Sequence, residues 1–318
     1  MTGPVPDVAA RPRRRGIGLS TVVGLVIGLA ACAFVVRTLG SEWDRVGDAI
    51  ADASGPWLVV GLAAAALAMT SIAWNWTDVL ALLGLRVSRG RVVSWYYVGE
   101  LGKYLPGGVW PVVGRGEMAR RGGIPRAQAY ASVALSLATL YLGAAFVALV
   151  LLPISIAGGG DLGAEALLLV LLPLGLGALH PRLLRPALGV LRRVTKRDLP
   201  VEIPSWSASV ILVLRYLPCW LFVGAATWAV ARALGPDAPV ARIMFAAVLS
   251  WIAGFAAVPV PAGAGIREAV FIAASGLPDA LGATVAVATR VLFILVDGGG
   301  AAVAGPFLRR RRAVRARG

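Results

Sequence analysis

Long apolar segments recur along the chain and are separated by short clusters of arginine. A straight helix needs about 20 consecutive apolar residues to cross the hydrocarbon core of a bilayer. Hydrophobic residues make up 58% of the 318 residues and charged residues 15%, whereas soluble domains average about 45–50% and about 25%. The pattern therefore predicts an all-α integral membrane protein with one membrane domain and no sizeable soluble domain.

The apolar pattern predicts about six transmembrane helices in a membrane domain that covers residues 16–307. The predicted spans lie at about 16–36, 57–83, 127–152, 164–179, 208–231 and 281–307. We expect residues 1–15 to form a disordered basic arm and residues 308–318 to form a basic tail, both cytoplasmic. The run from Leu29 to Cys32 resembles a lipoprotein processing site, but apolar residues continue to Val36. We therefore expect a span there rather than a cleaved leader.

The stretch from Val92 to Arg121 is apolar but is broken near its middle by Pro106, Gly107 and Gly108. Neither side of the break is long enough to cross a membrane alone. Basic clusters flank the stretch on both sides, so a single crossing would place one cluster outside, against the positive-inside rule. We therefore predict a re-entrant helical hairpin over about residues 92–117 that enters and leaves from the cytoplasmic side.

A second broken segment covers about residues 243–275, with its break at 258–265. Its second arm, about 266–274, is also too short to cross the membrane. The arginine-rich tail after the last span should be cytoplasmic, which requires this hairpin to enter and leave from outside. The two hairpins would then be oppositely oriented, as in inverted-repeat transporters that bind their cargo near the midplane.

Each break precedes a predicted half-helix, which begins at about Val109 in the first hairpin and about Ile266 in the second. A helix N-terminus offers free N–H groups and about half a positive charge, which together can bind a phosphate or carboxylate. Lys103 and Arg267 would add full charges, and the glycines let the backbone approach closely. The candidate substrate-binding residues are Glu100, Lys103, Pro106, Gly107, Gly108, Arg115, Glu117, Gly263, Gly265, Arg267, Glu268, Arg290 and Asp297.

Four carboxylates in this set are available as counter-ions for the basic groups when the site is empty: Glu100, Glu117, Glu268 and Asp297. Asp297 follows Arg290 by seven residues and therefore lies on the same helical face. These two residues could form one buried ion pair, or each could pair with a different partner.

Two other pairs in the set have purely structural interpretations. Gly265 and Glu268 fit the N-cap position and the N3 acid of a helix start, a role compatible with ligand binding. Arg115 and Glu117 fit the cytoplasmic surface, where they would only orient the hairpin. The tryptophans fit interfacial belts or packing better than a cofactor site.

Two motifs carry a family resemblance. The run from Gly99 to Gly107 reads Gly-Glu-Leu-Gly-Lys-Tyr-Leu-Pro-Gly and is followed by Trp110, Gly114 and Arg115; the run 261–268 reads Pro-Ala-Gly-Ala-Gly-Ile-Arg-Glu. Both are similar to motifs of the transmembrane-region family of lysylphosphatidylglycerol synthases, which includes the lipid-flipping membrane domain of the multiple peptide resistance factor. The resemblance implies a flippase-like membrane domain. Because the chain stops at Gly318, without the soluble aminoacyl-transferase domain of the bifunctional members, we expect no aminoacyl transfer.

The function expected from the sequence is a lipid flippase or transporter in the cell (inner) membrane rather than an enzyme. Its substrate would be an anionic phospholipid or a polyprenyl-phosphate-linked lipid, and a lipid-modifying or glycan-synthesis enzyme is a possible partner. The basic charge sits between apolar spans, so it indicates membrane orientation and not nucleic-acid binding. His180 is the only histidine, and the cysteines Cys32 and Cys219 lie within predicted spans. We therefore expect no metal and no cofactor.

Two other functions remain open from the sequence. The first is a membrane glycosyltransferase that uses a polyprenyl-phosphate sugar, indicated by the acidic pair Glu42 and Asp44 in the first outer loop. The second is an accessory membrane protein whose basic tail, Arg309 to Arg317, binds anionic lipid or a partner.

Overall fold

The computed structural model describes residues 51–105, 109–157, 167–183, 185–186, 205–235, 238–257 and 263–315. Within these ranges all regular secondary structure is helical. The helices are α1 (Gly55–Leu82), α2 (Arg89–Glu100), α3 (Trp110–Arg121), α4 (Arg126–Ala157), α5 (Leu167–Ala178), α6 (Trp206–Arg215), α7 (Leu217–Leu234), α8 (Val240–Ala256), α9 (Ile266–Ser275) and α10 (Asp279–Arg315). A short 3-10 helix, Leu101–Tyr104, follows α2 directly.

Four helical segments of the described chain are long and apolar enough to cross a membrane: Gly55–Leu82, Arg126–Ala157, Trp206–Leu234 and Asp279–Leu308. They correspond to the second, third, fifth and sixth predicted spans, and the prediction of an all-α, multi-pass membrane protein is confirmed. In the region of the fourth predicted span, the described helix α5 has 12 residues.

Several sequence predictions fall on residues outside the described ranges. They are the basic arm, the first span at 16–36 with its Leu29–Cys32 run, and the acidic pair Glu42 and Asp44. The basic tail is described as backbone only in part, since α10 runs as far as Arg315. These features therefore stay predictions.

Local sequence explains where α1 begins and ends. Pro56 occupies the first turn, where a missing N–H costs nothing, and the residues from Trp57 to Met69 are all apolar or glycine. The helix stops before Gly84, which adopts a φ of 76° that other residues rarely take. The N–H of Leu85 then bonds back to the carbonyl of Leu80 at 2.9 Å, satisfying a carbonyl at the helix end.

The core of the membrane domain combines alanines, branched aliphatic side chains and hydrogen-bonded aromatic rings. Helix α1 packs against α7, and α8 lies against α4, α7 and α9. Trp76 Nε1 donates to Ser132 Oγ at 3.1 Å, and Trp220 Nε1 donates to the Leu140 carbonyl at 2.7 Å. Lipid offers no hydrogen-bond partners, so each internal bond of this kind satisfies a group that would otherwise be costly to bury.

Both predicted hairpins fold as pairs of helices packed on each other, α2 with α3 and α8 with α9. Glycines allow both contacts. A Cβ added to Gly114 would lie 2.6 Å from the carbonyl oxygen of Gly99, and one added to Gly263 would lie 2.6 Å from Cα of Gly254. The first break, 106–108, and residues 258–262 of the second break lie outside the described residues. The opposite orientation of the hairpins in a bilayer stays a prediction.

Helix α10 contacts both hairpins: α2 and the 3-10 helix of the first, and α9 of the second. The candidate site residues that the structure describes are concentrated around these contacts.

Candidate functional site

A buried charge cluster lies where the first hairpin meets α10. Lys103 Nζ is 2.6 Å from Asp297 Oδ2 and 3.8 Å from Glu100 Oε1. The hydroxyl of Tyr104 donates to the same Oδ2 at 2.6 Å. The Asp297 side chain is fully buried and that of Lys103 is 15% exposed. The predicted counter-ion role of Asp297 therefore matches its position beside Lys103.

Arg115 extends this cluster from α3. Its Nε lies 3.5 Å from Glu100 Oε2, and its side chain is only 2% exposed. The guanidinium carbon is 5.3 Å from the ring centre of Tyr96 and 6.0 Å from that of Trp76, within cation–π range. Arg115 is therefore buried in the protein, and the surface interpretation does not hold for it.

Glu268, the third residue of α9, has two partners. Its Oε2 accepts a hydrogen bond from the N–H of Gly265 at 2.7 Å, as the capping interpretation expects. Its Oε1 accepts from Arg290 Nη1 at 2.7 Å. The Glu268 carboxylate thus caps the N-terminus of α9 and links α9 to α10.

Arg290 and Asp297 do not pair with each other. Arg290 pairs with Glu268 of the second hairpin, while Asp297 pairs with Lys103 of the first. The two residues are about two turns apart on α10. Of the two interpretations left open by the sequence, separate pairing is correct, and α10 carries one charged contact for each hairpin.

One cation from each hairpin lies near the ring of Trp251 on α8. The guanidinium carbon of Arg267 lies 4.1 Å from the Trp251 ring centre, and Lys103 Nζ lies 5.8 Å from the same point. The ring is held edge-on by Trp220 and Phe293, with centroids 5.9 and 5.2 Å away. Among the described residues, no carboxylate forms an ion pair with Arg267 within 4.0 Å. Lys103 and Arg267, predicted to face one guest, thus share one aromatic ring.

Glu117 has its partners outside this cluster. Its partly exposed carboxylate accepts hydrogen bonds from Arg120 Nε at 2.7 Å and from Arg121 Nε at 2.8 Å. The hydrogen bond from Arg120, joined by that from Arg121, outweighs partial burial and lowers the pKa of Glu117 to about 2. The structure does not bring Glu117 to Lys103 or Arg267.

The glycines and the proline predicted at the two breaks differ in what the structure describes. Gly263 and Gly265 have positive φ values of 65° and 81°, so both need the backbone freedom of glycine. Pro106, Gly107 and Gly108 lie outside the described residues, and their predicted role stays a prediction.

Sequence reasoning missed two residues of this site. Tyr104 had a usable signal, because a hydroxyl directly follows the candidate cation Lys103 in the first motif. Trp251 was predicted to belong to an interfacial belt or to the packed core. Its position in the sequence gives no sign that it lies near Lys103 or Arg267. As for metals, no group of three His, Cys, Asp or Glu side chains gathers within the described ranges.

The comparison with known families covers the residues that form this site. A family model described as the lysylphosphatidylglycerol synthase TM region matches residues 21–297, which include both hairpins and the cluster through Asp297. A comparison with curated proteins finds no match. Because the family match spans most of the chain, the protein belongs to the lysylphosphatidylglycerol synthase transmembrane-region family.

Proposed function

We propose that this protein moves a lipid with an anionic headgroup between the leaflets of the cell membrane. Family membership indicates a membrane-lipid, flippase-like role. The observation that supports the anionic headgroup is that Lys103 and Arg267, one from each hairpin, lie 5.8 and 4.1 Å from the ring centre of Trp251. Both termini would be cytoplasmic, as the distribution of basic residues predicts.

The surroundings of Arg267 favour a phosphate as its partner. Arg267 is the second residue of α9, so the first-turn N–H groups and the positive end of the helix dipole lie beside its backbone. A cation within a membrane protein is costly unless it is paired. Lys103 has Asp297 as its counter-ion, whereas no described carboxylate pairs with Arg267 within 4.0 Å. A lipid phosphate would supply that missing charge.

The contacts of α10 support a transport cycle. A phosphate that binds Lys103 competes with Asp297, and so weakens the charged contact between α10 and the first hairpin. The contact between Arg290 and Glu268 in the second hairpin has no such competitor. A guest that favours one arrangement of the hairpins over another shifts the population between them, which is what alternating access requires. Amino-acylated phospholipids and polyprenyl phosphates both carry the required phosphate.

The proposal is tested by lipid translocation in vesicles that contain the purified protein. A fluorescent phosphatidylglycerol measures movement of a phosphate headgroup, and a fluorescent glucosylceramide serves as a phosphate-free lipid. Arg267→Gln should slow phosphatidylglycerol translocation by about tenfold or more, the loss expected for one charged contact. Arg232→Gln is the matched control, because Arg232 also lies over an indole, 5.7 Å from the Trp57 ring centre, but outside the cluster.

Two results would reject the proposal. One is wild-type translocation of phosphatidylglycerol by a folded Arg267→Gln protein. The other is equal translocation of the phosphate-free lipid by the wild-type protein, since the cations would then confer no selectivity.

A further inference from the structure

A small cavity of about 20 Å³ lies among α7, α8, α9 and α10. Its polar lining consists of three hydroxyl residues and three charged residues: Thr227, Ser250, Thr289, Arg267, Glu268 and Arg290. A cavity needs about 10–15 Å³ to hold one water-sized guest. The volume therefore suits a single small guest and is too small for a lipid headgroup.

Two buried polar atoms at this cavity lack a hydrogen-bond partner within the described chain. They are Thr289 Oγ1, on a side chain only 4% exposed, and Arg290 Nη2. The other hydroxyls are engaged: Thr227 Oγ1 donates to the Val223 carbonyl at 3.0 Å, and Ser250 Oγ to a carbonyl of its own helix. Buried polar groups nearly always have a hydrogen-bond partner, so two groups without one at the same cavity indicate a bound guest.

The charges around the cavity indicate the sign of that guest. Two guanidinium groups, Arg267 and Arg290, face one carboxylate, Glu268. Both oxygens of Glu268 already accept hydrogen bonds, from Arg290 and from the N–H of Gly265. One positive charge therefore remains unbalanced among the cavity residues. A water molecule could accept hydrogen bonds from Thr289 Oγ1 and Arg290 Nη2, but it would leave the extra positive charge uncompensated.

We propose that this cavity binds one small monovalent anion of the halide class, such as chloride. The donors are the Thr289 hydroxyl and Arg290 Nη2, and Arg267 supplies the balancing charge. The site differs from the proposed headgroup site in its size and in its hydroxyl lining. Because Arg267 borders both sites, the small anion would balance the charge of Arg267 while no lipid phosphate is bound there. Binding of the anion does not require lipid transport, so a negative translocation result would leave this inference standing.

The test is a series of anions added to the purified full-length protein in dodecyl maltoside, a detergent without phosphate or charge. Thermal unfolding is followed as sodium chloride, bromide or phosphate replaces sodium gluconate at constant ionic strength. Chloride and bromide should raise the unfolding temperature along a saturable curve, because only the folded cavity binds them. Inorganic phosphate is too large for the cavity, so any stabilisation that it gives through the headgroup site should be weaker than that by chloride and unchanged by Thr289→Val.

A pair of threonine variants on α10 identifies the site. Thr289→Val keeps the shape of the side chain but removes the hydroxyl, and should weaken apparent chloride affinity by about tenfold. Thr284→Val is the matched control, since Thr284 Oγ1 bonds to the Ala280 carbonyl at 2.9 Å on the exposed side of the same helix. The rise of its unfolding temperature with chloride concentration should match that of the wild-type protein.

Three outcomes would overturn the inference. The first is identical unfolding of the wild-type protein in chloride and gluconate, as a cavity filled by water alone would give; this comparison needs no variant. The second is stabilisation by phosphate that equals or exceeds that by chloride, which would assign the effect to the headgroup site. The third is an unchanged chloride curve for folded Thr289→Val.

Discussion

Replacing Lys103 by methionine removes the cation from a buried ion pair and leaves its partner in place. Asp297 is 0% exposed, and its Oδ2 lies 2.6 Å from Lys103 Nζ. Within the described chain, its remaining partner is the hydroxyl of Tyr104, and Oδ1 accepts no hydrogen bond. Methionine preserves most of the lysine volume, so the variant isolates the loss of charge.

The size of the effect follows from this geometry. At 2.6 Å and an effective dielectric constant of about 20, the Coulomb attraction between Lys103 and Asp297 is about 6 kcal/mol. Removing one partner of a buried pair typically costs about 3–5 kcal/mol, because the other charge stays buried and uncompensated. We expect Lys103→Met to lower the free energy of unfolding by about 4 kcal/mol. Lys103→Met/Asp297→Asn removes both charges, and should recover most of that loss, to within about 1 kcal/mol of wild type.

The measurement is reversible unfolding by sodium dodecyl sulfate in mixed micelles, followed by circular dichroism, for the wild-type protein, both single variants and the double variant. Arg120→Met is the control, because Arg120 pairs with Glu117 at 2.7 Å but is 48% exposed and lies outside the candidate membrane spans. An exposed pair of this kind contributes little to stability. The reasoning fails if Lys103→Met is as stable as wild type, or if the double variant is no more stable than Lys103→Met.

Two further predictions concern hairpin packing and the C-terminal end of α3. In Gly99→Ala the new Cβ would lie 2.7 Å from the backbone N of Arg115, so α2 and α3 must separate at a cost of about 1–3 kcal/mol in the same unfolding assay. Gly298→Ala, whose Cβ meets nothing within 4 Å, should be neutral or stabilising; equal effects of the two variants would contradict the close approach. The pKa of Glu117 is lowered from 4.5 to about 2, so its stabilisation is present above pH 4.5 and is lost as the pH falls through about 2. Unfolding temperature measured against pH should therefore fall more between pH 4.5 and 2 for wild type than for Glu117→Gln, and superimposable curves would refute this.

The helical architecture could be predicted from the sequence because its determinants are local. Runs of apolar residues set the long helices, and proline and glycine set where helices stop. The half-helix expected at about Ile266 begins at Ile266, and the one expected at about Val109 begins at Trp110. These boundaries depend on the neighbouring residues, so no knowledge of tertiary packing was needed.

The pairing of the charges could not be predicted in the same way. The positions of Arg290 and Asp297 on one helical face are compatible with a mutual ion pair and with separate partners. Their actual partners come from distant parts of the chain, Glu268 from α9 and Lys103 from the first hairpin. The role of Trp251 likewise depends on α8 packing against α4, α7 and α9, which residue spacing along α8 does not reveal.

The unequal environments of the two cations give the proposed cycle an order. A phosphate approaching Lys103 must displace Asp297, a fully buried carboxylate already at 2.6 Å. A phosphate approaching Arg267 meets no described ion-pair competitor within 4.0 Å, because Glu268 is engaged with Arg290 and with the N–H of Gly265. Binding at Arg267 should therefore come first and account for most of the affinity. Under the proposed cycle, exchange at Lys103 would follow. Because Asp297 belongs to α10, that exchange would convert binding into movement of the first hairpin relative to the second.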